Sequence, residues 1–391
     1  MKRRDFLKLA SATPIWAAGA ALSSSLAVAG ASSGAGYGKQ IVLIELKGGN
    51  DGLNTVVPFT NADYYALRPK IAISRDQVIQ LSDRIGLHPS LAPLLPSWKA
   101  NELAILQGVG YPAPNLSHFR SIEIWDTASR SDQYLPDGWL TRTFAEAPTP
   151  RRFAADGAVI GSADLGPLSG AGTRAIALAN TEQFLRQARL ATPQGQAHNK
   201  AFAHLLKVED DIVQAASHLK ADHAFKTEFA NTGFGNAIRT ASQILANDDG
   251  VAVVRVSYSG FDTHGGQGPA HARLLEELAG GMLTLKSALT ELGKWNSTVV
   301  LTYAEFGRRP RENLSNGTDH GTASVHFAIG GSVAGGLYGE QPPLDRLTGD
   351  GNPVHAIDFR SVYATLLDRW WGVSAVAALG GKFAPVPFLK A

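Results

Sequence analysis

Residues 40–52 read QIVLIELKGGNDG, a continuous apolar run that ends in a glycine-rich loop with one acidic residue. An apolar run of this length, without regular polar alternation, is typical of a strand that is buried on both faces of a sheet. Four more runs predict strands of the same kind, at residues 103–109, 251–257, 298–304 and 325–330. The sequence therefore predicts a sheet that is covered on both sides.

Segments with apolar residues at three- and four-residue spacing fall between these runs and predict helices. They lie at residues 117–129, 199–219, 228–247, 268–292 and 358–371. Strands that alternate with long helices indicate an α/β fold with a mostly parallel central sheet flanked by helices. We expect residues 40–391 to form a single domain of this class. Residues 130–200 are richer in proline and glycine, which favours an irregular insertion or cap over the sheet.

Composition excludes several classes of function. The 391 residues are 44% hydrophobic and 18% charged, with a formal net charge of +2. The sequence shows no basic stripe interleaved with aromatic residues, so no nucleic acid partner is expected. The chain has no cysteine, which excludes thiolate metal ligands, cysteine nucleophiles and iron–sulfur clusters. A redox enzyme ranks last, because no G-x-G-x-x-G motif follows the first strand.

The N-terminal stretch MKRRDFLK has the pattern of a twin-arginine export signal, with two arginines before an apolar run. The tripeptide AVA then supplies small residues for cleavage, so residues 1–29 are predicted to be a signal peptide and residues 30–39 a linker. An amphipathic N-terminal helix is the alternative. The apolar run is short and contains Pro14, so no permanent membrane span is expected. The mature chain would leave through the twin-arginine translocase and reside in the periplasm or outside the cell.

Polar residues gather where the predicted strands end. Ligands of open α/β sheets bind outside the carboxyl ends of the strands. Four polar clusters follow a predicted strand, whereas a fifth precedes one and could approach from elsewhere. The candidate metal ligands in these clusters are Asp51, Asp262, His264, Asp319 and His320. Each alone is more often part of a turn, but their shared position favours a divalent metal site, with zinc or manganese as the cofactor.

Ser117 precedes a predicted helix, where its hydroxyl has two interpretations. It could be a plain N-cap of that helix. The free N–H groups and positive field of a helix N-terminus would also suit a phosphate or sulfate ester, with the hydroxyl as a metal-activated nucleophile. Arg308 would clamp the anionic group, and Glu305 would orient a ligand histidine. The alternative for these two residues is a surface salt bridge.

Five motifs follow the predicted export signal in this order: GGNDGLNTVVP, LSHFRSIEIW, GFDTHGGQ, AEFGRRPREN and GTDHGTASVHFAIGG. Together they resemble a bacterial family called domain of unknown function 1501, which is grouped with the alkaline phosphatase and sulfatase superfamily. The resemblance implies an alkaline phosphatase/sulfatase-like fold with two divalent ions at the carboxyl edge of the sheet. The residues that it implies are Ser117 as nucleophile, and Asp51, Asp262, His264, Asp319, His320 and a last histidine, either His326 or the slightly less favoured His355, as ligands.

Two departures from the superfamily leave open one metal ion instead of two, or none. Asp262 and His264 are two residues apart, whereas the superfamily commonly separates such a pair by four. Positions i and i+2 of a strand face the same side, so both side chains could still meet one ion. His118 directly after Ser117 is also unusual.

The resemblance implies a metal-dependent hydrolase whose substrate is a phosphate or sulfate ester of an anionic small molecule or glycan. A non-catalytic periplasmic binding or assembly protein on the same scaffold is the alternative, because a fold does not fix a function. Bound metal without turnover over a broad panel of esters would favour the binding protein.

Overall fold

The computed structural model describes residues 36–188 and 211–391. The predicted signal peptide, most of the predicted linker and the first half of the predicted helix 199–219 lie outside the described residues. No helix in the described part of the chain combines the length and the hydropathy that a membrane span requires.

Within the described residues, nine strands form the central sheet, and the other strands form two small sheets. Numbered along the chain, the strands are β1 (Gln40–Lys47), β2 (Val56–Val57), β3 (Ile79–Gln80), β4 (Gly86–Leu87), β5 (Leu103–Gly110), β6 (Gly157–Ile160), β7 (Ala175–Leu178), β8 (Val253–Ser259), β9 (Thr298–Tyr303), β10 (Arg308–Glu312), β11 (Thr318–His320), β12 (Ser324–Ile329), β13 (Gly336–Tyr338) and β14 (Ile357–Asp358). The central order is β13-β5-β12-β9-β1-β8-β6-β7, with β14 paired to β5. The small sheets are β2-β4-β3 and β10-β11.

Helices cover both faces of the central sheet. The α-helices with described bounds are α1 (Gly52–Thr55), α2 (Ala62–Leu67), α3 (Leu95–Lys99), α4 (His118–Thr127), α5 (Trp139–Glu146), α6 (Thr181–Ala188), α7 (Gly233–Leu245), α8 (Gln267–Glu291), α9 (Phe359–Ala364) and α10 (Ala375–Leu379). Residues 211–218 are also helical. Short 3₁₀ helices lie at Pro89–Leu94, Gly166–Leu168 and Trp295–Ser297, and a π-helical segment spans Thr365–Trp371.

The five strands predicted from apolar runs are all present in the central sheet, as β1, β5, β8, β9 and β12. Strand β1 lies in the middle and pairs in parallel with β8 and β9. Its residues Ile41–Ile44 are at most 1% exposed, because neighbouring layers cover both faces of the strand. The predicted α/β class, with a mostly parallel sheet flanked by helices, is confirmed.

Two hydrophobic layers hold the helices against the sheet. One layer packs α7 and α8 against one face, through residues such as Ile238 and Leu278. The other packs α4, α5, α9 and the π-helical segment against the opposite face, through residues such as Trp125 and Tyr363. Alternate residues of each strand enter opposite layers, which explains why the strand sequences are apolar throughout.

Strand β12 runs antiparallel to both of its neighbours, β5 and β9. Its amino end therefore lies at the edge where the parallel strands have their carboxyl ends. Asp319 and His320 directly precede this strand, so they arrive at the same edge as the other polar clusters. The direction of β12 thus places all five predicted clusters on one side of the sheet.

The segment 130–200 differs from its prediction in the described part. Strands β6 and β7 lie within it and pair in parallel, and β6 pairs with β8. This segment therefore extends the central sheet by two strands, and its helix α5 packs against one face of the sheet. Both strands have only four residues and are separated by glycine-rich turns, which hides them from an analysis of apolar runs.

Candidate metal centre

Two loops pack tightly together at the carboxyl edge of the sheet. The loop after β1 contains Gly48, whose φ of +116° lies in the left-handed region. A Cβ atom at this position would lie 2.4 Å from the backbone nitrogen of Asp262, in the loop after β8. Glycine permits this approach, which brings the polar residues of the two loops side by side.

Asp262 is the common neighbour of three histidines. Its Oδ1 atom lies 3.1 Å from Nε2 of His264 and 3.1 Å from Nε2 of His320. Its Oδ2 atom lies 3.4 Å from Nε2 of His118. The Nε2 atoms of His264 and His320 are 3.0 Å apart. Three imidazoles therefore converge on one carboxylate through the same ring nitrogen.

The opposite ring nitrogens of His118 and His320 are anchored by acceptors. Nδ1 of His118 lies 2.8 Å from Oε1 of Glu305, and Nδ1 of His320 lies 2.8 Å from the carbonyl oxygen of Leu116. A carbonyl oxygen only accepts, so Nδ1 of His320 carries a proton, and the neutral ring has its lone pair on Nε2. A carboxylate partner favours the same arrangement for His118.

His264 has a weaker anchor of the same kind. Its Nδ1 atom lies 3.4 Å from Oδ1 of Asp319, which also accepts a hydrogen bond of 3.1 Å from the side chain of Asn313. Below the cluster, the buried ring of Phe306 packs against His118 and His320, with centroid distances of 4.9 and 4.5 Å. These contacts orient the imidazoles before any ligand arrives.

This donor set fits a divalent ion. Histidine nitrogens and carboxylate oxygens bind Zn²⁺ and Mn²⁺. Zinc–nitrogen bonds of about 2.0–2.1 Å at tetrahedral angles separate neighbouring ligand atoms by about 3.4 Å. The ligand atoms of His118, Asp262 and His320 all lie within 4.8 Å of one another, and three of the contacts around Asp262 are 3.1–3.4 Å long. Ligand histidines in proteins usually donate their other N–H group to a carboxylate or carbonyl, as His118 and His320 do here.

Charges around the cluster set its protonation. Partial desolvation raises the pKa of Asp262, but the hydrogen bond and the charge of Arg308 outweigh it, so the pKa lies below its ordinary value. Desolvation lowers the pKa of His320, which keeps this ring neutral. The hydrogen bond with Glu305 raises the pKa of His118. A metal ion would have to displace a proton from His118 at low pH, so its affinity would fall with acidification.

Arg308 lies beneath the cluster and is fully occupied by the protein itself. Its Nε atom donates to the carbonyl of Gly49 at 2.8 Å, and its Nη1 atom donates to the carbonyl of Thr318 at 2.8 Å. Its Nη2 atom donates to the carbonyl of Phe261 at 3.0 Å, to the carbonyl of Gly48 and to Oδ1 of Asp262 at 2.6 Å. The side chain is fully buried, so the expected role of Arg308 as a clamp for a substrate anion does not fit this structure.

Glu305 occupies the position expected of a residue that orients a histidine. Its Oε1 atom accepts hydrogen bonds from Nδ1 of His118 and, at 2.9 Å, from the backbone nitrogen of Gly48. Its Oε2 atom is buried without a hydrogen-bond partner among the described residues. Buried carboxylate oxygens are normally satisfied, so a water or a ligand proton donor would be stabilised there.

The sequence predicts Asp51 as a metal ligand, but its carboxylate is hydrogen-bonded within the protein. It is 1% exposed, forms a 2.6 Å ion pair with Arg68, and accepts a hydrogen bond from the backbone nitrogen of Leu53. Desolvation opposes ionisation, but Arg68 outweighs it and lowers the pKa of Asp51. The carboxylate is therefore an anchor within the fold and lies outside the candidate metal ligands.

Gln267 connects Asp51 to both loops that carry the cluster. Its side-chain nitrogen donates to Oδ2 of Asp51, and its side-chain oxygen accepts from the hydroxyls of Thr263 and Thr318 at 3.0 and 2.6 Å. An ionised carboxylate only accepts, which fixes the orientation of the amide. Thr263 lies between Asp262 and His264, and Thr318 precedes Asp319. Gln267 thus fixes the two loops relative to each other, and nothing in the sequence marked it for this role.

The sequence favours His326 as the last ligand, but this histidine lies away from the cluster, inside the core. Strand alternation turns it toward the layer of α4, where its ring packs against Trp125 with a centroid distance of 5.3 Å. It is 2% exposed, and neither ring nitrogen has a hydrogen-bond partner among the described residues. The competing His355 is half-buried and also lies outside the candidate ligand group found in the described chain.

Replacing His326 with phenylalanine is expected to flatten the dependence of stability on pH. Burial lowers the pKa of His326 to about 3 in the folded chain, whereas an unfolded histidine has a pKa of about 6.5. Between these values the unfolded chain binds one more proton, so the free energy of unfolding falls by up to about 1.4 kcal/mol per pH unit of acidification. Urea titrations at pH 7 and pH 5 measure the difference. Equal pH dependence in wild type and His326→Phe would contradict the buried neutral ring.

Ser117 lies at the surface directly before α4, next to the cluster residue His118. It is the N-cap residue by its backbone angles, yet its side chain makes no capping hydrogen bond. Its backbone nitrogen donates to Oδ1 of Asn115 at 2.9 Å, and the residue as a whole is exposed. Ser117 therefore does not act as a plain N-cap of α4. In the sequence it directly precedes His118, one of the candidate metal ligands.

The structure places Asp262, His264 and His320 together, with Asp319 beside them. His118 joins this group, although it is not among the metal ligands predicted from the sequence. His118 immediately follows Ser117, and a histidine at the start of a helix after a polar cluster was the available signal. The result is an α/β protein with a candidate metal centre at the carboxyl edge of its sheet.

The chain matches the family model described as Protein of unknown function (DUF1501) over residues 38–377. It therefore belongs to this family. A comparison with curated protein sequences gave no significant match.

Solved structures give weak similarity over most of the chain. The PsFucS1 sulfatase from Pseudoalteromonas sp. has a TM-score of 0.40 and 10% identity, over 90% of this chain and 73% of that chain. The phosphonate monoester hydrolase of Agrobacterium radiobacter has a TM-score of 0.37 and 11% identity, over 88% and 78%. An alkaline phosphatase from the Antarctic bacterium TAB5 has a TM-score of 0.32 and 11% identity, over 76% and 94%. All three TM-scores lie below 0.5, so the reaction is inferred from the chain's own residues.

Proposed function

We propose that the protein is a metal-dependent hydrolase of phosphate or sulfate esters. One divalent ion, zinc or manganese, would be held by His118, Asp262, His264 and His320. The observation that carries this proposal is the convergence of three Nε2 atoms on Asp262 while their Nδ1 atoms face acceptors. The order of motifs that resembles the alkaline phosphatase and sulfatase superfamily supports the type of reaction.

The proposed roles follow from the positions of the side chains. A bound divalent ion would supply Lewis acidity to an ester oxygen and would lower the pKa of a hydroxyl group. The Oγ atom of Ser117 would attack phosphorus or sulfur, the bond to the alcohol oxygen would break, and the alcohol would leave with a proton. Water would then hydrolyse the serine ester and regenerate the hydroxyl. Free N–H groups at the start of α4 would stabilise the anionic group.

We also propose that the protein works outside the cytoplasm. The twin-arginine pattern in residues 1–29 supports export through the twin-arginine translocase to the periplasm or the medium. This route carries folded proteins, which suits a metal centre assembled from distant parts of the chain. The substrate would be an anionic small-molecule or glycan ester.

Replacing Ser117 with alanine is expected to lower kcat by on the order of 10³-fold or more while bound metal is retained, because the nucleophile is lost but the ligands remain. The assay uses 4-nitrophenyl phosphate and 4-nitrophenyl sulfate, with metal content measured by elemental mass spectrometry. Ser287→Ala, at an exposed serine on α8, is the matched control and should behave as wild type. If ester turnover persists after metal chelation and also in the Ser117→Ala variant, the proposal is wrong. Bound metal with no turnover over a broad ester panel would favour the binding protein.

A further inference from the structure

An exposed aromatic ring lies beside the candidate metal centre. Phe119 is in the first turn of α4, directly after His118, and 88% of its surface is exposed. It lines a cleft of about 530 Å³ whose walls also contain Asp262 and Glu305. This volume falls within the roughly 300–1,000 Å³ of sites for small molecules. The cleft therefore joins an apolar surface to the cluster that would hold the ion.

The sequence of α4 builds two apolar faces. Ile124 and Trp125 are buried in the hydrophobic layer between α4 and the central sheet. Phe119 and Ile122 are three residues apart, so they lie on one side of the helix, and both line the cleft. Packing within the described residues does not explain the exposed ring of Phe119. A ligand that covers the ring of Phe119 in the cleft would remove its apolar surface from water, and this burial would stabilise the complex.

Polar and charged groups surround this apolar surface. Lys47, at the carboxyl end of β1, lines the cleft and has no ion pair within residues 36–188 and 211–391. Asp164 also lines the cleft, and its exposed carboxylate accepts a hydrogen bond of 3.0 Å from the backbone nitrogen of Gly166. Glu305 adds a buried oxygen, Oε2, that has no hydrogen-bond partner in the described part of the chain. The cleft thus offers both a hydrogen-bond donor and acceptors around one aromatic ring.

We propose that this cleft binds the alcohol part of the ester and that this part is a sugar ring. One apolar face of the sugar would pack on Phe119, and its hydroxyl groups would bind to Lys47 and Asp164. An unsubstituted aryl group would use the aromatic surface but none of these polar groups, and a short alkyl group would use neither. This inference rests on the proposed function for the position of the ester group, whereas recognition of the sugar depends on the cleft alone.

The test compares wild type, Phe119→Ala and Phe119→Trp. The probes are glucose 6-phosphate and glucose 6-sulfate, with ethyl phosphate and ethyl sulfate as esters that lack a ring. Binding is measured by calorimetry on Ser117→Ala versions of each variant, and KM and kcat on the versions with the serine. Phe119→Ala should weaken binding of the glucose esters by about tenfold, leave the ethyl esters unchanged, and be rescued by Phe119→Trp. Val376→Ala, at an exposed residue on α10, is the control for loss of an apolar surface side chain.

The outcomes separate this inference from the proposed function. Binding of glucose esters that depends on Phe119, without turnover by the wild type, would support the sugar site and remove the hydrolase. Turnover of glucose esters that is indifferent to Phe119 would overturn the sugar site and leave the hydrolase. Equal weakening of glucose and ethyl esters, or no binding of any glucose ester, would also overturn the sugar site.

Discussion

Asp262→Asn is expected to bind zinc at least about 100-fold more weakly than the wild type. Loss of an outer partner of a ligand already costs roughly 10–100-fold in metal affinity, and Asp262 is the shared neighbour of three imidazoles. Asparagine keeps the shape of the side chain but removes the negative charge that Arg308 holds in place. Competition with a chromophoric chelator, with all variants at the same pH, measures the affinity.

Asp319→Asn is the matched comparison for this experiment. Asp319 touches the cluster through Nδ1 of His264 at 3.4 Å and does not face the other two histidines. Its replacement should therefore lower the zinc affinity by about tenfold or less, the low end of the range for a residue that hydrogen-bonds to a metal ligand. Thermal unfolding of metal-free protein shows whether either variant has lost its fold. Wild-type zinc affinity in a folded Asp262→Asn variant would contradict the proposed centre.

Arg308→Met is expected to lower the free energy of unfolding by about 3–5 kcal/mol, as loss of one partner of a buried charge network does. The guanidinium donates to carbonyl groups in the loops after β1 and β8 and at the start of β11, and also to Asp262. Methionine fills part of the volume but leaves these carbonyl groups without donors and Asp262 without its closest positive charge.

Urea titration of the metal-free protein measures this effect without interference from ligand binding. Arg311→Met is the control, since Arg311 lies on the same strand, β10, and is exposed. Its stability should change by no more than about 0.5 kcal/mol, as is usual at surface positions. A similarly small change in the stability of Arg308→Met would show that Arg308 does not hold the loops together. Binding of the substrate anion would then again be the favoured role for Arg308.

The central strands could be predicted because burial on both faces leaves a direct signal in the sequence. Runs such as IVLIEL contain no polar interruption except one glutamate, and β1 is buried along almost its whole length. Strands β6 and β7 gave no such signal, because four residues are too few to distinguish from a loop rich in small residues. The direction of β12 also has no local signal, since a strand has the same side-chain alternation whichever way it runs.

The candidate centre was predictable only in part for a similar reason. Asp262 and His320 follow or precede strands, and the rule that ligands bind at one sheet edge was enough to bring them together. Asp51 follows the same rule, but its ion pair with Arg68 depends on the loop that returns after α2, which the sequence pattern does not describe. His326 was misplaced because a histidine inside an apolar strand has the same spacing from a polar cluster whether it faces the core or the edge.

The loops that Arg308 and Gln267 hold together are far apart along the chain. The hydrogen bond between His320 and Leu116 alone joins positions separated by 204 residues. An unfolded chain rarely brings such segments together, so it would have little affinity for the ion. Binding would then draw the folding equilibrium toward the native state by RT ln(1 + [L]/Kd), and the melting temperature would rise with metal concentration. Metal supply in the compartment where the chain folds would in this way govern how long the protein resists proteolysis.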